Sequence, residues 1–332
     1  MARSSASSDG SSTNGHSSRC ESEASSEFGC TPTSRSSPNS PAQLPECGPY
    51  RSRASIRGVN ATDLYLSILK GCLTRSLFLD EQHREVWVGG WHARVWGAYK
   101  RAKKHPDWRI VEPGAVDAQV RAEGKDWPEN GETMIGDARL DNIQQCVTSV
   151  LEDDIPGDLI EAGVWRGGAA IFMRAMLAAH GVTDRKVWLA DSFAGMPAPR
   201  VDEYPADAEM PDHSGISALS VSVDQVKANF ARYGLLDNQV RFLVGWFKDT
   251  LPSAPIERLA LVRLDGDLYE STMDSIAALY PKLSVGGYLI VDDYKSWTTT
   301  CGRAIDDYRG ANGITEPIQE IDWTGVYWRR ER

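Results

Sequence analysis

Two short aspartate clusters, Asp265-Gly266-Asp267 and Asp292-Asp293, are the residues of this 332-residue chain best suited to chemistry. Each closes an apolar run, 259–265 and 288–292, of the kind that forms a strand. Like charges this close repel, and leaving several of them unpaired is costly; a divalent cation removes that cost. Carboxylate oxygens with water suit Mg²⁺, Ca²⁺ or Mn²⁺ and not a thiolate metal. Asp is also a good turn residue, so neither cluster alone implies a metal, but two on neighbouring strand ends do. A cation there can chelate two adjacent hydroxyls and lower the pKa of one. A carboxylate beside it can then take the proton as general base.

A second group of residues could hold an electrophile over those carboxylates. The stretch Glu161-Ala162-Gly163-Val164-Trp165-Arg166-Gly167-Gly168 ends another apolar run. Its glycines permit a tight turn and close approach of a ligand to the backbone. It is not G-x-G-x-x-G, so the dinucleotide fingerprint is absent. Asp191-Ser192 ends the next run, where an acid commonly accepts hydrogen bonds from ribose hydroxyls. Glu161 and Asp191 can also be read as plain capping carboxylates. There is no G-x-S-x-G elbow, and Cys72, Cys146 and Cys301 lack a reactive context, so a covalent enzyme intermediate is not expected.

These residues need elements to position them. Apolar runs at 158–165, 187–193, 240–244, 259–265 and 288–292 alternate with helical patterns at 168–180, 221–233, 271–283 and 302–309. Residues 317–321 and 325–328 look like a closing hairpin. Near-continuous apolar strands between helices mean a parallel sheet covered on both faces. The expected fold is therefore α/β: a doubly wound, Rossmann-like, mostly parallel seven-stranded sheet with an antiparallel C-terminal hairpin. In such a sheet ligands bind outside the carboxyl ends of the strands, where all these polar residues fall. Upstream, Leu64, Tyr65, Ile68, Leu69 and Leu73 recur at helical spacing, and a further helix is expected from Arg139 to about Asp153. The Trp-, Arg- and Lys-rich stretch 80–131, broken by Pro106, Pro113 and Pro128, is expected to form short helices and loops.

Fifteen of the first fifty residues are Ser and large apolar residues are almost absent, so residues 1–53 are expected to be a disordered tail. Residues 54–135 then form a helical cap or lid with a possible contact between copies, and 136–332 the catalytic domain. A net charge of −10 argues against a nucleic-acid binder and gives no polybasic membrane signal. No run approaches the 18 apolar residues of a membrane span, and no apolar secretory leader is visible. Six cysteines without paired spacing fit a reducing cytoplasm.

The stretches 161–168, Ala190-Asp-Ser-Phe-Ala-Gly195, Tyr233-Gly-Leu-Leu236, Gly245-Trp-Phe-Lys-Asp-Thr250, Leu264-Asp-Gly-Asp267 and Val291-Asp-Asp-Tyr294 resemble the macrocin O-methyltransferase (TylF) family. The resemblance runs from about Ala61 to Arg330, and the ending 322–330 looks closest to the macrolide-sugar branch. It implies Mg²⁺-dependent transfer of methyl from S-adenosyl-L-methionine to a deoxysugar hydroxyl of a glycosylated natural product, macrolide antibiotics foremost. It implies Asp265, Asp292 and Asp293 as metal ligands, Asp265 as base and Asp267 in reserve. Glu161, Gly163 and Trp165 would hold the methionine end, Asp191 and Ser192 the ribose, and Trp246 and Phe247 the adenine, with Thr133, Met134 and Ile135 closing the site. The loop carrying Tyr204, Met210 and His213 would face a small-molecule glycoside. Family members often assemble, so a homo-oligomer is expected. Rival readings are a metal-dependent O-methyltransferase of a catechol or polyphenol, a nicotinamide oxidoreductase and a non-catalytic scaffold with an interaction tail.

Overall fold

A computed structural model describes residues 60–79, 83–85, 111–113 and 116–332. The expected Ser-rich tail and parts of the 80–131 stretch lie outside these residues. Five doubly apolar runs become the parallel strands β3 (Asp158–Ala162), β4 (Val187–Asp191), β5 (Val240–Val244), β6 (Leu259–Leu264) and β7 (Leu283–Val291). Two antiparallel strands, β8 (Gln319–Glu320) and β9 (Val326–Arg329), complete a seven-stranded sheet in the order β5-β4-β3-β6-β7-β9-β8. The expected α/β architecture and its closing hairpin are both present.

Alternate residues of each strand enter opposite cores, which is why the runs read as continuously apolar. Leu159, Leu189 and Ile290 face a layer formed by α1 (Ala61–Leu73), α3 (Asp137–Glu152), α4 (Gly168–Ala179) and α5 (Val223–Arg232). Ile160, Ala190 and Val291 join a second layer with α7 (Tyr269–Leu279) and α8 (Thr300–Ala311). Local capping fixes several helix starts. Asn60 accepts from the Asp63 amide at 2.8 Å, and the Ser222 hydroxyl accepts from the Gln225 amide at 3.2 Å. α1 packs Leu66, Leu69 and Leu73 into the first core and leaves Leu64, Tyr65 and Ile68 exposed. Among the described residues no helix is long and apolar enough to cross a membrane.

Strand hydrogen bonding continues just past the strand ends, and this is what aligns the candidate residues. The Gly163 amide donates to Ala190 O at 2.9 Å, Asp265 N to Ala162 O at 2.8 Å and Asp292 N to Leu264 O at 3.0 Å. Register also sets Glu161 directly beside Arg263.

The structure departs from the sequence expectations in places. Helices expected at 221–233 and 302–309 run Val223–Arg232 and Thr300–Ala311, because Ser222 caps the first while the second starts after Thr299 in a left-handed turn, φ +54°. The strand expected at 288–292 begins at Leu283, ahead of Gly286 and Gly287. Within the stretch expected to hold only short helices and loops, β1 (His83–Glu85) and β2 (Val111–Pro113) pair as a small antiparallel ribbon, and Ala118–Ala122 forms the short helix α2. The four-residue helix α6 (Phe247–Thr250) is too short for periodicity to reveal.

Phe172 is fully buried in α4, with the Lys70 ammonium of α1 5.2 Å from its ring centroid. Phe172→Ala should lower unfolding stability by about 3–5 kcal/mol. Leu64→Ala, on the exposed side of α1, should change it by less than about 0.5 kcal/mol; urea unfolding of both variants checks the contrast.

Candidate active site

A cavity of about 630 Å³ opens at the carboxyl ends of the strands. Its chemistry is set by one residue that the sequence reading passed over. Arg263 sits inside apolar β6 and is only 2% exposed. Its Nη1 donates to Glu161 Oε1 at 2.5 Å, and its Nη2 lies 3.0 Å from Asp265 Oδ2 and 2.7 Å from Asp292 Oδ1. Arg139, from the first turn of α3, pairs with the other oxygen of Asp292 and donates through Nε to Asp322 at 2.8 Å. Two arginines thus face six carboxylates: Glu161, Asp265, Asp267, Asp292, Asp293 and Asp322. At full ionisation that leaves four negative charges, six less two, uncompensated.

The remaining acids converge. Asp265, Asp267 and Asp293 can each place one oxygen within 4.8 Å of the others. Asp267 is held in a left-handed conformation, φ +55°, and its carbonyl accepts from the Thr300 hydroxyl at 2.8 Å. The sequence reading grouped Asp292 with Asp265 and Asp293; here Asp292 lines the same cavity, clasped by two guanidinium groups. The pKa values follow this arrangement. Burial, with Asp265 and Asp292 adding to it, pushes Asp267 up to about 7. Burial also raises Asp293 well above the usual range, and Asp265 to a lesser degree. Burial acts upward on Asp292 too, but Arg139 and Arg263 outweigh it and hold the carboxyl low. Glu161 is pushed up to about 8 by burial, against the pull of Arg263.

The site's donor set fits a hard divalent cation. Asp293 Oδ2 is buried without a hydrogen-bond donor, and the surrounding acids supply only oxygen. An orphaned buried acceptor of this kind requires an explanation, and a bound cation supplies one.

On the other side of the cavity, the turn after β3 is packed hard against β6. Gly163 has φ +91°, and a Cβ there would lie 1.8 Å from the Asp265 carbonyl oxygen. Asp191 ties this turn to the next one, accepting from Val164 N and Phe193 N, each at 2.7 Å. Ser192 accepts from Ala194 N at 3.0 Å and donates to Gly195 O at 2.8 Å. The Trp165 indole donates to Ala218 O at 2.8 Å. Glu161, Gly163, Trp165, Asp191, Ser192 and the pair Trp246 and Phe247 all line the cavity. Thr133, Met134 and Ile135 line it from a strap whose Glu132 carbonyl accepts from Gly168 N at 2.9 Å.

Met210 and His213 also line the cavity. Tyr204 does not: it packs on Tyr269, ring centroids 6.3 Å apart, and under the Arg200 guanidinium. The loop is hung on α7, whose amides at Tyr269 and Glu270 donate to Asp207 at 2.6 and 3.3 Å, while Arg200 pairs with Glu270. The sequence held a signal for Arg263, a charge in an otherwise apolar strand, but none for Arg139, Arg200 or Glu132, whose partners are distant in sequence.

The macrocin-O-methyltransferase (TylF) family model matches residues 62–330. The chain is 51% identical over 270 residues to an 8-demethyl-8-(2,3-dimethoxy-alpha-L-rhamnosyl)-tetracenomycin-C 4'-O-methyltransferase of Streptomyces olivaceus, covering 81% of this chain and 94% of that protein. It is 46% identical to the mycinamicin III 3''-O-methyltransferase of Micromonospora griseorubida, covering 81% and 96%. These identities do not single out the macrolide-sugar branch. The solved O-methyltransferase NovP superposes with a TM-score of 0.70 at 48% identity, covering 82% of this chain and all of that one. Fold, site and relatives agree: the chain belongs to the macrocin O-methyltransferase (TylF) family and is an S-adenosylmethionine-dependent O-methyltransferase.

Proposed function

We propose that this enzyme methylates a deoxysugar hydroxyl of a glycosylated natural product, with a Mg²⁺ ion at the aspartate cluster and Asp267 as the general base. The observation that carries the metal is the surplus of carboxylates over arginines together with the orphaned Oδ2 of Asp293. The acceptor class rests on the relatives, two of whose names specify sugar positions on a rhamnosyl-tetracenomycin and on mycinamicin III.

Asp265 and Asp293 would hold the ion, with Asp292, clasped by Arg139 and Arg263, as the third acid beside it. The ion would lower the pKa of the sugar hydroxyl it contacts. S-adenosylmethionine would supply the methyl group from the turn 161–168, with Asp191 and Ser192 at its ribose and Trp246 and Phe247 at its adenine. Asp267 is the better base than Asp265 on charge grounds. Asp265 is paired with Arg263, whereas the Asp267 carboxylate has no ion pair among the described residues and titrates near 7. The strap through Thr133 and Met134 excludes water from the same space, and the Gly163 turn sets the distance between donor and acceptor.

S-adenosylhomocysteine should bind saturably in calorimetry while NAD does not; no binding by folded protein would remove the cofactor assignment. Turnover should vanish in chelator and return with Mg²⁺. Asp293→Asn should weaken cation binding at least tenfold and abolish turnover. Asp267→Asn should keep cation affinity and lose about 10²–10⁴-fold in rate; joint loss of affinity would instead make Asp267 a ligand. Asp267 accepts a proton only when ionised, so turnover should fall as pH drops through its pKa. A cation beside it favours the ionised form, so this acid limb should move to lower pH as Mg²⁺ is raised, which rate profiles at two concentrations would read.

A further inference from the structure

Among the described residues, three tryptophans on the cavity remain outside this reading. Trp127, Trp297 and Trp323 are 55%, 75% and 49% exposed, come from three separate loops and line the same cavity. Exposed indole faces converging on one pocket mark a surface that something covers.

The Trp323 ring is held in place, and so is the backbone leading to Trp297. The Trp323 indole donates to Glu123 O at 2.9 Å, and its ring lies 5.6 Å from the Arg139 guanidinium carbon. Asp322 accepts from the Thr324 and Gly325 amides at 3.1 and 2.8 Å, closing the turn that carries Trp323. Lys295 N donates to Thr324 O at 3.1 Å and Ser296 N to Asp293 O at 3.1 Å, which fixes the loop leading to Trp297. Arg139 also clasps Asp292, so the tryptophan rim and the aspartate cluster share one support.

The order of the strands gives the rim a direction. Trp246, Asp191 and Gly163 follow β5, β4 and β3; Asp265 and Asp292 follow β6 and β7; Trp297 lies beyond β7, and Trp323 in the β8–β9 turn. Strands are spaced about 4.8 Å apart, roughly the width of a sugar ring. A sugar held at Asp265 and Asp293, with the methyl donor on the β3 side, therefore sends the rest of its molecule toward the tryptophans. The loop 202–213 is rich in acids and offers no comparable apolar face.

We propose that Trp297 and Trp323, with Trp127 at the edge, form the subsite for the acceptor's aglycone, and that they select a flat, apolar ring system attached to the methylated sugar. The proposal rests on the glycoside reading above and deepens it. The test uses full-length enzyme saturated with S-adenosylhomocysteine and Mg²⁺, titrated with 4-methylumbelliferyl α-L-rhamnoside and, separately, methyl α-L-rhamnoside. The wild type should bind the aryl glycoside at least tenfold more tightly than the methyl glycoside. Trp297→Ala and Trp323→Ala should each erase most of that difference and leave the methyl glycoside where it was. S-adenosylhomocysteine affinity reports folding of each variant. Equal affinity of the wild type for both glycosides, or retention of the preference in both variants, would overturn the subsite. So would a change of oligomeric state in the variants by light scattering, which would make the rim an interface between copies. Binding of neither glycoside by the wild type would strike the glycoside reading itself, a separate result.

Discussion

The buried guanidinium of Arg263 is the interaction on which the rest of the site depends. A lone charge inside a sheet is prohibitively unfavourable unless it is paired and hydrogen-bonded. Here register supplies one partner, Glu161 on β3, and strand ends supply two more, Asp265 and Asp292. The same contacts stop those acids from repelling one another apart. Arg139 finishes the work from the opposite side of Asp292. What remains, Asp265, Asp267 and Asp293 turned toward the cavity, is a set of oxygens with less compensation than their charge requires. Arginine sets the geometry of the acids and leaves a defined deficit of positive charge.

This division explains why neighbouring aspartates have unlike character. Asp292, between two guanidinium groups, is held ionised, whereas Asp267, two residues beyond Asp265, is pushed toward neutrality by burial and by its fellow acids. Such divergence between adjacent carboxylates is the pattern by which acid, base and ligand roles separate in one site. On the other side of the cavity the backbone does the organising: Asp191 spends its oxygens partly on the Val164 and Phe193 amides, so it shapes the turns as well as lining the cavity.

Much of this was legible in the sequence, for definite reasons. Strands buried on both faces write themselves as apolar runs, so β3 to β7 and the polar residues at their ends could be placed without coordinates. The roles within the acid cluster could not, because Arg139 reaches Asp292 across 153 residues and nothing local encodes that. Tyr204 illustrates the same limit: Met210 and His213 of its loop line the cavity, but Asp207 and Arg200 tie the part around Tyr204 onto α7 instead. The ribbon β1–β2 escaped because three-residue strands carry no periodicity.

The Arg139–Asp322 bond joins residues 183 positions apart, and Asp322 lies within the last dozen residues of this sequence. Contacts of such separation form late, after shorter loops have closed. The five parallel strands and the Arg263 contacts can form without the hairpin, but Arg139 lacks Asp322 until it docks. Docking also pairs β9 with β7 and seats the fully buried Val326 and Trp328 in the second core. The hairpin thus couples completion of the site to completion of the core: a chain in which it fails to dock loses both together.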